Sequence, residues 1–294
     1  MSGKNGILVV DKPSGWTSFD VIAKLRGILK TRKLGHSGTL DPMATGVLPV
    51  FAGGAARAVD MQPNHDKSYT ALVRFGLATD TGDITGTVLE TSQKRVSREE
   101  LEKTLADFVG PQMQTPPMYS AVKINGTPLY KLARQGKTIE RPARPVTFYR
   151  LECLRETEAN EFEIVVECSK GTYVRTLVED MGKALGCPAC LAGLRRTQAG
   201  VFDLSGSHTL EEIQQAADED RIEELFLPVE TVFAHLEKLT VNEDTQNRLL
   251  NGAPTYRFYK KDGVYRVEGP MGFMGLGRVT DNVLKVEKLF VERA

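Results

Sequence analysis

The chain has 294 residues, is 41% hydrophobic and 26% charged, and sets 38 Lys and Arg against 38 Asp and Glu. That is an ordinary soluble, globular composition, long enough for one large domain or a large domain with a small one. The apolar run Ile7-Leu8-Val9-Val10 is far too short to cross a bilayer, and none is longer; four cysteines without a secretion signal point to reduced thiols in a cytoplasmic protein.

In chain order, Ile7 to Val10 reads as a strand that ends in the turn Asp11-Lys12-Pro13-Ser14-Gly15. Ser18 is expected to cap a helix whose apolar face is Phe19, Ile22, Leu25 and Leu29. Residues 35–49 then hold three glycines, two prolines, His36 and a single carboxylate, Asp41. Glycine and proline fix a backbone that neither helix nor strand produces. Such a loop suits a carboxylate that must stay in place while something reacts with it, and equally a turn in which Asp41 bonds its own backbone. Tyr69, Ala71, Val73 and Phe75 alternate as a strand stopping at Gly76, and Ser97-Arg98-Glu99-Glu100 is a capping box opening a helix with Leu101, Leu105 and Phe108 on one face.

From about 112 to 150 the pattern loses regularity, which inside a compact domain is more often functional than idle. There Lys123, Lys131, Arg134, Lys137, Arg141, Arg144 and Arg150 face Glu140 alone, interleaved with Tyr119, Tyr130, Phe148 and Tyr149. Cations mixed with rings suit a phosphate backbone and bases to stack on; a solvated loop is the plainer reading. The sequon Asn125-Gly126-Thr127 reads only as a turn. Phe162, Ile164, Val166 and Cys168 alternate with Glu161, Glu163, Val165 and Glu167 as a half-buried strand with its acids mostly outward, and Leu177, Met181 and Leu185 mark a helix closed by Gly186. Arg175 lies at the junction between that strand and helix, where a permanent cation can hold a carboxylate. Thr209-Leu210-Glu211-Glu212 opens an acidic helix. From Leu239 onward, short alternating segments between glycines predict a β-rich unit of about 55 residues, too small to be robust unless it packs on its neighbour.

Some motifs carry less. Asp80-Thr81-Gly82 has the letters of an aspartic-protease triplet but lacks the apolar strand before it and a second copy, so it reads as a turn. Cys187-Pro188-Ala189-Cys190 has redox or half-zinc spacing, yet Cys153 and Cys168 supply no matching pair, and a helix end followed by a turn explains it better. Asp41 lacks the second carboxylate just after it that a magnesium-dependent phosphohydrolase needs.

Six blocks in order resemble one family. They are Lys12-Pro13-Ser14-Gly15-Trp16-Thr17-Ser18, the loop from Gly35 through Asp41 to Pro49, and Lys67-Ser68-Tyr69, followed by Pro117-Met118-Tyr119-Ser120-Ala121-Val122-Lys123, Ser169-Lys170-Gly171-Thr172-Tyr173-Val174-Arg175-Thr176 and Leu194-Arg195-Arg196-Thr197. The chain is similar to the TruB family of tRNA pseudouridine synthases over residues 6–200, and more loosely beyond. The resemblance implies an α+β pseudouridine synthase fold: a mixed, mainly antiparallel central sheet flanked by helices, an RNA-binding insertion at about 112–150, and a small β-rich PUA-like C-terminal domain. The implied division is 1–236 for the catalytic domain and 237–294 for the PUA-like one.

The same resemblance implies isomerisation of uridine to pseudouridine at position 55 in the T arm of tRNA, without metal or cofactor. Asp41 is then the nucleophile, attacking either the pyrimidine ring or the ribose, Arg175 its partner, and Tyr69 the ring that stacks on the base and handles the C5 proton. His36 fills the space left by the flipped base, at a cost of a few kcal/mol for unstacking. Tyr173 and Leu194 line the base pocket, Lys123, Lys131 and Arg134 grip RNA, and Lys12-Pro13 supports the pocket structurally. A stand-alone monomer with no obligatory protein partner is expected. The alternatives are a synthase acting on another RNA, as in guide-dependent dyskerin-type relatives, and a non-catalytic tRNA-folding chaperone.

Overall fold

The computed structural model describes residues 5–124 and 126–291, so the turn expected at Asn125 lies outside the described residues. In chain order the first elements are strand Gly6–Lys12 (β1), helix Ser18–Leu29 (α1), and strands Leu34–His36 (β2), Thr45–Ala52 (β3) and Lys67–Phe75 (β4). Helix Arg98–Phe108 (α2), strand Gly110–Gln114 (β5), the short helix Leu129–Ala133 (α3), and strands Arg144–Glu158 (β6) and Glu161–Cys168 (β7) follow. Helix Val174–Leu185 (α4), strand Ala189–Ala199 (β8) and helix Leu210–Asp218 (α5) complete the large unit.

The central sheet has nine strands, with the path β1-β3-β8-β4-β7-β6-β5, β2 beside β3, and Phe202–Asp203 beside β8. Every pairing on that path is antiparallel except β3 with β8, where Arg195 and Arg196 run parallel to Thr45 and Gly46. The mixed, mainly antiparallel sheet is therefore the one expected. Its apolar run in β1 is buried on both sides: Leu8 and Val10 join the main core, Ile7 and Val9 a second one. Such double burial is why that strand reads as a continuous hydrophobic run rather than an alternating one. Leu177, Val178 and Met181 of α4 fill the main core, and Gly186 closes the helix in a left-handed turn, with φ of 60°.

Both capping boxes form, at Ser97 with Glu100 and at Thr209 with Glu212. The cap of α1 falls one residue earlier than expected. Thr17, not Ser18, caps it in a reciprocal box with Asp20. Ser18 is instead buried, and its hydroxyl accepts from the Leu40 amide at 2.8 Å and donates to the Leu40 carbonyl at 3.2 Å. The buried face shifts with it to Val21, Ile22, Leu25 and Leu29, leaving Phe19 exposed. Glu161 also departs from expectation: it is 5% exposed, because it accepts from Arg74 across the β4–β7 pair at 2.8 Å.

Strands bound the weakly regular segment more tightly than its sequence suggests. Gln112 and Gln114 belong to β5 and pair with Val146 and Arg144 of β6. Between these strands, among the described residues, lie only a two-residue ladder, Lys123–Ile124 with Thr127–Pro128, and α3.

Beyond Leu236 a second sheet of five strands forms around Leu239, Tyr265, Val267, Met274, Val279 and Leu284, flanked by helix Glu243–Leu250 (α6). It does not stand apart. Phe290 stacks on Phe233 at 5.2 Å, and with Leu276 it enters the second core beside Ile7, Val9 and Phe51. This packing supplies the support that so small a unit needs.

Candidate active site

The loop between β2 and β3 is shorter than its glycine content suggests, because Gly35 and His36 pair with Phe51 and Val50 as strand. The free stretch, residues 37–44, is tied from several directions. Ser37 N–H donates to Pro49 O at 3.0 Å, and Gln62 Nε2 to Ser37 Oγ at 2.7 Å. Arg196 Nη2 donates to Gly38 O at 2.9 Å, Ser18 holds Leu40, and Gly15 N–H reaches Pro42 O at 2.8 Å. Two glycines are required by geometry. Gly38 has φ of +80°, and a Cβ there would lie 3.1 Å from Lys67 Cε; Gly46 has φ of +98°, and a Cβ would lie 2.2 Å from Arg196 O. Only glycine adopts such backbones without strain.

Asp41 projects from this tethered loop. Its Oδ2 lies 2.9 Å from Arg175 Nη2, with the arginine side chain 4% exposed and the aspartate side chain 36% exposed. Arg175 sits in the first turn of α4, and two more acceptors aim it: Thr81 O at 2.8 Å from Nη1 and Tyr119 O at 2.7 Å from Nη2. The Asp80-Thr81-Gly82 turn is thus a turn, as expected, but one that helps to hold the guanidinium. Burial pushes the Asp41 carboxyl above the usual carboxylate range, Arg175 pulls it back, and buried Asp83 pushes it up again.

Beneath the loop lies Lys12, fully buried, its ammonium donating to Pro13 O at 2.8 Å, Trp16 O at 2.6 Å and Pro42 O at 3.2 Å. Burial lowers its pKa to about 8, against an opposing pull from Asp41. Arg196, equally buried, donates to Val47 O at 2.7 Å as well as to Gly38 O.

A cavity of about 280 Å³ opens over Asp41, lined by Leu40, Lys67, Tyr69, Ser120, Tyr173, Arg175 and Leu194 among others. Five of the residues expected at the site therefore meet in one place: Asp41, Tyr69, Tyr173, Arg175 and Leu194. Tyr69 is 6% exposed, and burial pushes its phenol up to about 12. His36 is not among the lining residues; it stands half-buried at the end of β2, kept neutral by burial and by Arg196. Lys123, Lys131 and Arg134 also lie away from the cavity and are exposed, with the Arg134 guanidinium over the Tyr130 ring at 5.6 Å. Sequence reasoning did not assign Lys67, Ser120, Asp83 or Arg196 to the site. Lys67, Ser120 and Arg196 stood inside quoted motifs, but a buried cation held by backbone carbonyls leaves no local pattern to mark its role. All four cysteines are free and buried, and among the described residues no cluster of His, Cys, Asp or Glu could hold a metal.

The arrangement offers one carboxylate fixed against a guanidinium, in a small cavity walled by tyrosines and a leucine. It suits a flat ring with polar edges presented to a nucleophile. Among solved structures, the chain is similar to one in a Cbf5–Nop10–Gar1 complex, with a TM-score of 0.73 at 26% identity over 99% of this chain and 86% of that one. A chain in an H/ACA RNP bound to a substrate RNA containing 2'-deoxyuridine gives the same score at 24% identity. The chain therefore shares the fold of these two. Residues 26–174 match the N-terminal domain of TruB family pseudouridylate synthase, and residues 175–234 match the tRNA pseudouridylate synthase B C-terminal domain. Relatives named tRNA pseudouridine synthase B include one from Stutzerimonas stutzeri, 44% identical over 95% of this chain and 92% of its own length. Another, from Staphylococcus saprophyticus, is 42% identical over 88% and 86%. The chain belongs to the TruB family.

Proposed function

We propose that the protein isomerises uridine to pseudouridine in tRNA, at position 55 of the T arm, with Asp41 as the nucleophile acting on a flipped-out base. The observation that carries this reading is the Asp41–Arg175 pair at 2.9 Å, facing a cavity shared with Tyr69, Tyr173 and Leu194, in a chain of this family. The reaction breaks the glycosidic bond at N1, turns the uracil and joins C5 to the ribose. It therefore needs an ionised carboxylate held in one place, a counter-cation, and a group that handles the C5 proton.

The tethers on residues 37–44 hold the nucleophile, and a near-attack geometry fixed in advance lowers the barrier to bond formation. Arg175 keeps Asp41 ionised against the burial that favours its proton. Tyr69 stacks on the base and handles the C5 proton. Tyr173 and Leu194 bracket the ring. His36, neutral and on a strand end five residues before Asp41 (41 − 36), enters the gap that the flipped base leaves. Exposed Lys123, Lys131 and Arg134 hold phosphates of the arm. Residues 1–236 form the catalytic unit and 237–294 a PUA-like unit, and the protein acts on tRNA as a cytoplasmic monomer without a protein partner.

The test is to incubate the protein with an unmodified tRNA transcript and map pseudouridine. Product is expected at position 55, and Asp41→Asn should abolish it while tRNA binding persists. Wild-type binding without product would favour the chaperone reading, and full turnover by the Asn variant would remove Asp41 from the chemistry.

A further inference from the structure

Arg196 presents a feature that the site as described does not use. Its side chain is fully buried, and Nε and Nη2 are spent on Val47 O and Gly38 O. Nη1 is also buried but has no partner, and no carboxylate pairs with this guanidinium among the described residues. A buried charged donor without an acceptor is costly to keep. Arg196 is also the register partner of Tyr69 across β8 and β4, which places the two side chains on one face of the sheet. The interaction is mutual, through charge and through a side-chain contact that falls short of a full hydrogen bond: against the burial that raises the Tyr69 phenol, Arg196 is the largest influence pulling it down. Cys168 and Asp41 are the other titratable groups that act on Tyr69, and both push the other way.

We infer that Arg196 is a positioning residue for proton transfer at Tyr69, its free Nη1–H aimed at a phenolate that exists only during the reaction. This rests on the proton-handling role proposed for Tyr69. Protons balance in three steps. Asp41 bonds C1′ as the N1–C1′ bond breaks, and the uracil anion so released takes the phenol proton at N1. The ring turns, and C5 bonds C1′ as the Asp41–C1′ bond breaks. The phenolate then takes the C5 proton and Tyr69 ends as it began. A donor preorganised toward charge that develops only along the reaction stabilises the transition state without stabilising the ground state. That accounts for an N–H whose contact with Tyr69 stays short of a full hydrogen bond at rest. Arginine suits the role because it stays protonated when buried.

The test uses the full chain and a tRNA transcript with deuterium at C5 of the target uridine, followed under single-turnover conditions. R196Q should slow conversion by about 10- to 100-fold, within the range of general acid–base effects, with tRNA affinity unchanged and a C5 isotope effect larger than in wild type. R196K, which keeps the charge but not the fork, should show a smaller loss in the same direction. Replacing Tyr69 by 3,5-difluorotyrosine, whose phenolate forms more readily, should recover about tenfold in R196Q, and less in wild type. Should R196Q fail to fold, the same isotope and fluorotyrosine readouts on R196K decide. A slower variant whose isotope effect matches wild type, or which fluorotyrosine does not rescue, would reduce Arg196 to a residue that merely holds the loop. Full activity of Y69F would instead sink the reading of Tyr69 itself, which separates the two failures.

Discussion

Arg175→Met removes the only cation among the described residues that touches Asp41 in an ion pair, and its consequences follow from three contacts. Opposite charges about 4 Å apart attract by about 4 kcal/mol at an effective dielectric of 20. Asp41 is 36% exposed, so screening leaves about 1–2 kcal/mol of that. The Thr81 and Tyr119 carbonyls also lose their donor, adding about 1–3 kcal/mol of unsatisfied polar burial. A stability loss of about 2–5 kcal/mol is expected, in line with breaking a buried pair from one side. The direction with pH follows from Asp41, whose folded carboxyl already lies above its ordinary value of 3.8. The folded state therefore holds that proton more tightly than the unfolded chain does, and this contribution to stability declines as pH rises from the ordinary value through the folded one. Without Arg175 the folded value moves further up, so the variant loses more stability than wild type between acid and neutral pH. The acid limb of its rate profile moves to higher pH. At neutral pH the rate should fall by about a hundredfold through misplacement of the carboxylate. Pseudouridine formation measured across pH, with thermal melts at the two ends, checks both. An acid limb that coincides with wild type's would refute the electrostatic role of Arg175.

Three further outcomes are expected. Ser18→Ala leaves both the amide and the carbonyl of buried Leu40 without their partner and should cost about 1–3 kcal/mol, read as a lower melting temperature together with a slower turnover, since Leu40 adjoins Asp41. Gly46→Ala would drive a Cβ to 2.2 Å from Arg196 O at a φ of +98°; a loss above about 2 kcal/mol is expected, and a neutral result in a denaturant titration would contradict the close approach of β3 and β8. Reversing Lys131 and Arg134 to Glu should weaken tRNA binding and flatten its dependence on log salt by about 1–2 units; an unchanged slope in a filter-binding series would remove both from the phosphate contacts.

What could be read in the sequence was mostly local chemistry. The capping boxes at Ser97 and Thr209, the left-handed stop at Gly186 and the alternation of Lys67–Phe75 each depend on neighbours within a few positions. The misread positions are those where a distant partner wins. Thr17 and Ser18 both bear a cap-forming hydroxyl, and Leu40, 22 residues away, claims the second. Glu161 carries a charge that alternation sends outward, but Arg74, 87 residues away, keeps it inside. Asp41 and Arg175, 134 positions apart (175 − 41), could be joined in advance only through resemblance to a family. Lys12 and Arg196 could not be read as buried cations from spacing, because their partners are backbone carbonyls, which every residue type supplies alike.

That choice of partner shapes the site. Lys12 is held by three carbonyls, and Arg175 and Arg196 by two each. Carboxylates in those places would cancel the cations' fields, whereas carbonyl dipoles satisfy the N–H groups and leave the net charge standing. Of the three, only Arg175 has an anionic partner, and that partner is Asp41. Two buried cations, Arg175 and Lys12, therefore draw down the pKa of a carboxyl that burial pushes up. The same kind of field favours negative charge on the Tyr69 oxygen, which Arg196 draws down. The motifs at residues 12–18 and 194–197 thus bear on the cavity although neither Lys12 nor Arg196 lines it: Lys12 acts on Asp41 and Arg196 on Tyr69.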